Sequence, residues 1–137
     1  MTPEEVGDQL ERIASAEDFP GRSAELVDRW TALKVGAEAL EPILRFMEEH
    51  PSVEFGMPGS LVHFAERFYG SGYEEKLLGS LSRKPTGHTV WMLNRLINGA
   101  KVPATRKRYV AMMAEAKSHP QADSWTRERI DHFLIDR

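Results

Sequence analysis

Cysteine is absent from the 137-residue chain, which excludes disulfide scaffolds, thiolate metal sites and thiol nucleophiles together and fits a reducing compartment. No apolar run approaches the ~18 residues that a membrane span needs. The opening stretch MTPEEVGDQLERI is acidic and lacks the apolar h-region of a signal peptide. A soluble, cytoplasmic protein with no membrane partner is therefore expected. Period-two alternation never runs long enough to suggest a strand. The phosphate-cradling spacings G-x-G-x-x-G and G-x-x-x-x-G-K-[ST] are missing, Gly70-Ser71-Gly72 follows no strand, and no serine sits in G-x-S-x-G. With no visible set of acid, base and nucleophile, the expectation is a non-enzyme without catalytic residues or cofactor.

Carboxylates are also missing from one long interval. None occurs between Glu75 and Glu115, where Lys76, Arg83, Lys84, Arg95, Lys101, Arg106, Lys107 and Arg108 all fall. Residues 1–50 carry 12 acids and 5 bases, whereas residues 51–137 carry 9 acids and 13 bases. The net charge of -3 thus hides a polarised chain, acidic first and basic later. With 41% hydrophobic and 28% charged residues, the length fits one domain, residues 1–137, with an adequate core.

What is present is helical spacing almost from end to end. Apolar residues recur at intervals of three and four in eight segments. The first four are Val6-Leu10-Ile13, Leu26-Val27-Trp30-Leu33, Leu40-Ile43-Leu44-Met47 and Leu61-Val62-Phe64-Ala65-Phe68. The last four are Leu77-Leu78-Leu81, Val90-Leu93-Leu96-Ile97, Tyr109-Met112-Met113 and Ile130-Phe133-Leu134. Pro3, Pro58 and Pro103 are expected just inside helix starts, and Ser71, Thr86 and Ser124 at or near N-caps. Pro42 requires the third helix to begin near Leu40 or to kink. Pro20, Pro51, Pro85 and Pro120 are expected to close helices one, three, five and seven, at spacings of 31, 34 and 35. Eight, seven and four residues before the last three prolines stand Ile43, Leu44, Met47, then Leu77, Leu78, Leu81, then Met112, Met113, Ala116. A recurring face at a period near 34 predicts an all-α fold, a HEAT-like α-solenoid of about four helical hairpins, with a globular helical bundle as the alternative.

Candidate site residues follow from the acid-free interval. Arg83, Lys84, His88, Asn94, Arg95, Lys101, Arg106 and Lys107 are the expected partner-binding set, provided the fold gathers them on one surface. Asn94 and Asn98 lie four apart in TVWMLNRLIN, Asn98 reading as a helix-end residue before Gly99. His63 and Glu66 share a helix face, but no second pair stands opposite to complete a metal site, so no metal is expected. His50 and His119 precede prolines, where an imidazole bonds free carbonyls at a helix end.

The stretch from Phe55 to Lys101 adds a resemblance. Pro58-Gly59, Leu61-Val62-His63, Glu66, Tyr73, Leu77, Ser80, Arg83, Pro85-Thr86 and Trp91-Met92-Leu93-Asn94-Arg95 look like small bacterial helical-repeat proteins that act as immunity partners of toxins. That resemblance implies a cytoplasmic antitoxin that binds a cognate toxin domain stoichiometrically, without catalysis or cofactor. The alternative reading is a nucleic-acid-binding helical repeat that uses the basic 76–114 face.

Overall fold

The computed structural model describes residues 1–56 and 58–135. All regular structure among them is helical, with no strand. The elements are α1 (Pro3–Ile13), α2 (Phe19–Ala32), a 3-10 turn (Ala37–Ala39), α3 (Leu40–Glu49), α4 (Ser60–Glu66), α5 (Tyr73–Arg83), α6 (Gly87–Gly99), α7 (Pro103–Ala116) and α8 (Ser124–Leu134). The chain is therefore all-α, and each of the eight apolar segments lies on a helix or at its edge. No described helix is long and apolar enough to cross a membrane. The residues group into two compact units, Met1–Lys76 and Leu77–Arg137, the boundary falling within α5.

In the first unit α1 packs on α3 and α2 on α4, so alternate helices lie side by side. Val6, Leu10, Leu26, Trp30, Ile43, Leu44, Met47, Leu61 and Phe64 are buried there. Trp30 is fully buried, and its indole N–H donates to Gln9 Oε1 at 2.7 Å, which removes the cost of an orphan donor in the core. Phe19, Phe46 and Phe55 form an aromatic triangle with centroids 5.3 to 5.9 Å apart. In the second unit α6 packs against both α7 and α8, which also touch each other.

Local chemistry explains the boundaries. Pro3 and Pro103 occupy first helical positions, where the missing N–H costs nothing. The third helix starts at Leu40, so Pro42 sits in its first turn, where a proline is tolerated. Two prolines fall elsewhere than expected. Pro20 does not close the first helix, which ends at Ile13; Asp18 caps a new helix by accepting from the Gly21 N–H at 3.1 Å, and Pro20 belongs to that helix's first turn. Pro58 precedes α4 instead of entering it, because Gly59 holds the cap position at φ 94°, where a Cβ would overlap the Phe55 carbonyl. Pro51, Pro85 and Pro120 do follow the ends of α3, α5 and α7.

At the end of α2, Lys34 adopts the left-handed φ of 59°. The Val35 N–H reaches back to the Trp30 carbonyl at 2.9 Å and the Lys34 N–H to Thr31 at 3.1 Å, the double bond pattern of a Schellman motif.

Candidate protein-docking site

The TVWMLNRLIN segment forms α6 behind a complete capping box: the Thr86 hydroxyl accepts from the Thr89 N–H at 3.1 Å, and the Thr89 hydroxyl accepts from the Thr86 N–H at 3.0 Å. Thr89, Val90, Met92, Leu93, Leu96 and Ile97 are buried on one arc of the helix. His88, Trp91, Asn94 and Arg95 fall on the opposite arc, half-buried. Asn98 is exposed inside the last turn, since α6 runs on through Gly99.

Helix α8 contributes the residues that meet this arc. Asp123 caps it by accepting from the Thr126 N–H at 2.7 Å. Trp125, Arg129 and Phe133 then stand four apart and share a face. The Arg129 guanidinium carbon lies 5.2 Å from the Trp91 ring centre, 5.0 Å from that of Trp125 and 6.0 Å from that of Phe133. Trp125 also meets the His88 ring edge-on at 5.5 Å. One cation against three aromatic rings exceeds an ordinary surface cation–π contact. Arg129 makes no hydrogen bond or ion pair with any described residue, and its Nε is buried without a partner. Periodicity alone passes over this cluster, because an arginine on a terminal helix reads as a solvated residue. The four-residue spacing Trp125, Arg129, Phe133 is the signal that marks it.

The expected partner-binding residues all lie in the second unit, in three groups. Arg83 and Lys84 lie at the end of α5, both half-buried; Lys84 is close enough to the Asp123 carboxylate to help lower its pKa. His88, Asn94 and Arg95 share the α6 arc just described. Lys101, Arg106 and Lys107, with Arg108, are exposed and have no carboxylate partner among the described residues. They do not form one face. Arg106 and Arg108 flank the buried stripe of Tyr109, Met113 and Ala116 from its two sides, and Lys107 projects away from it, so these three spread around α7, with Lys101 two residues before its start, as a collar of cations. Lys76, the first base of the acid-free interval, belongs to the other unit and pairs with Glu41 at 3.3 Å. Dividing the sequence at the unit boundary sharpens its polarity: residues 1–76 hold 16 acids and 7 bases, residues 77–137 hold 5 acids and 11 bases.

The histidines take structural partners. His119 Nε2 donates to the Ser82 carbonyl at 2.9 Å while Nδ1 accepts from the Gln121 N–H, tying the end of α7 to α5. His50 bonds both carboxylate oxygens of Glu11, at 2.8 and 3.0 Å, in place of a free helix carbonyl. The ligand atoms of Glu11, Glu49 and His50 lie within 4.8 Å of one another, a grouping that spacing along the chain does not reveal. His63 Nδ1 stands 3.7 Å from Glu66, whose other oxygen accepts from the Tyr69 hydroxyl.

Compared with protein-family models, curated proteins and solved structures, the chain matches none.

Proposed function

We propose that the chain is a cytoplasmic, HEAT-like helical-repeat protein of the immunity type, which neutralises a cognate bacterial toxin by binding it stoichiometrically. The observation that carries this reading is the collar of Lys101, Arg106, Lys107 and Arg108, four exposed cations without partners in a unit that holds 11 bases against 5 acids. Unneutralised charge at this density speeds encounter with an acidic surface and rejects basic ones. The packing of α1 on α3 and α2 on α4, helix on next-but-one helix, supports the repeat reading, because stacked hairpins bring such pairs together. The resemblance across Phe55–Lys101 points the same way.

The test is co-expression with the product of the adjacent reading frame. The expected result is a one-to-one complex on size-exclusion chromatography and rescue of cells from that product's toxicity. Absence of both removes the reading. The excess of positive charge in Leu77–Arg137 also favours a nucleic-acid interface. Against it, Arg129 already covers the Trp91 and Trp125 rings that would otherwise stack on bases. Salt-sensitive binding of duplex or single-stranded nucleic acid at micromolar protein would decide for that alternative.

A further inference from the structure

We propose that the Arg129–Trp125–Trp91 platform is the anchor of the interface, a site that receives an Asp or Glu carboxylate from the protein partner. The proposal rests on the binding reading above and names the chemistry at its centre.

A guanidinium has five N–H donors arranged around the edge of a plane. In Arg129 the aromatic rings of α6 and α8 crowd the group, yet none of them accepts an in-plane hydrogen bond of normal strength. The edge donors have no protein acceptor among the described residues; Nε is shut off from water, so the terminal Nη groups, which are not so buried, are the donors a partner can reach. Covered by a partner and left unmade, those donors cost about 1–3 kcal/mol each, and more because they are charged. The helix offers no internal remedy: the residues three and four positions away from Arg129 are Trp125, Thr126, His132 and Phe133, none of them acidic. Asp131, the next carboxylate along α8, is held by Lys117 at 2.6 Å. What satisfies a stacked guanidinium is a planar two-oxygen acceptor approaching edge-on, and a carboxylate has that shape.

The surroundings select the source. Trp125 keeps 39% of its surface exposed, which leaves an apolar shelf beside the charge. Arginine and tryptophan together, half-buried and ringed by further contacts, are the residue types that dominate protein interfaces. The α7 collar supplies the long-range attraction, and Arg129 the short-range fork. Nucleic acid would instead need the tryptophan faces that Arg129 occupies.

The full chain, labelled with 15N, is titrated with an acetylated peptide in which Glu and Asp alternate with Ser and Gly. Its Gln/Asn counterpart, inorganic phosphate and single-stranded DNA serve as the other probes. The Arg129 Nε–H resonance and tryptophan emission are followed. Expected is saturable movement of both by the acidic peptide with a Kd below ~1 mM, and none by the neutral peptide. Arg129→Gln, and Arg129→Lys, which keeps the charge but loses the fork, should each weaken binding by about tenfold or more. Circular dichroism checks that both variants keep their helices. The proposal is overturned if the peptide moves the collar resonances but leaves Arg129 still, if both Arg129 variants bind like wild type, or if phosphate or DNA moves Arg129 at lower concentration than the peptide. With the adjacent gene product as partner, wild-type affinity in both variants removes the anchor and leaves the immunity reading. Failure of that product to bind, while the peptide still moves Arg129, removes the immunity reading and leaves the anchor.

Discussion

The indole ring of Trp125 rests on the backbone of Gly87, close enough that a Cβ at position 87 would overlap three of the ring's carbons. The first residue of α6 is thus a seat for the first turn of α8, and the absence of a side chain at 87 leaves room for Trp125 beside His88, where it shares Arg129 with Trp91.

Gly87→Ala should therefore lower stability by about 1–3 kcal/mol through overpacking, despite alanine's better helix propensity. Tryptophan emission should shift as the indole is displaced. Urea denaturation followed by fluorescence measures both, and an unchanged midpoint would mean that the ring does not sit on Gly87.

Lys34 holds a left-handed φ of 59° with its side chain exposed. Lys34→Gly should stabilise the protein by up to about 1 kcal/mol, since a glycine adopts that conformation without the Cβ penalty and keeps both Schellman bonds. Thermal denaturation should show a higher Tm; a lower one would place the strain elsewhere.

The Thr126 N–H holds the Asp123 carboxyl below its ordinary value of 3.8; partial burial works against this, and Arg127 and Lys84 add to it. A depressed carboxylate pKa contributes stability above the unfolded-state value and loses it as pH falls through the folded one. Asp123→Ala should cost about 1 kcal/mol at neutral pH through the lost N-cap. The gap between wild type and variant should narrow below about pH 3.8, as the cap protonates in the wild type as well. Denaturation at a series of pH values tests this, and a gap that widens on acidification would contradict it.

Reversing Lys101, Arg106 and Lys107 to Glu should leave the helices intact, because all three side chains are exposed. Partner association should slow by about tenfold or more at low salt, with the difference shrinking as ionic strength rises and the Debye length falls to roughly 10 Å at 0.1 M. Stopped-flow kinetics in a salt series reads this directly. An unchanged association rate would move the interface to another surface, the acidic Glu11, Glu17, Asp18, Glu25 and Asp28 being the next to reverse.

Periodicity carried the helices well. All eight apolar segments correspond to helices, because a period near 3.6 repeated over several turns is hard to produce by chance. Its failures were local. Leu33 fits the α2 stripe by spacing but is 66% exposed, since the helix ends at Ala32 and the chain turns away. Pro20 looked like a terminator because a proline ends a helix or begins one equally well, and only Asp18 as N-cap separates the two. The basic interval was legible as composition, but its three-way division was not: that depends on which arc of α6 and α7 is buried, a tertiary fact. Arg129 was the hardest to see, as one of its rings comes from Trp91 in another helix.

Each tryptophan reports on a known environment. Trp30 is the first unit's own, sealed in its core and bonded to Gln9, while Trp91 and Trp125 both belong to the second unit and share Arg129. A Trp91→Phe, Trp125→Phe chain emits from the first unit alone, and Trp30→Phe from the second. Whether Met1–Lys76 and Leu77–Arg137 melt in one cooperative step or in two is then a question for two fluorescence curves. Coincident midpoints in these variants mean a single folding unit; separated ones mean that the break within α5 is thermodynamic as well as geometric.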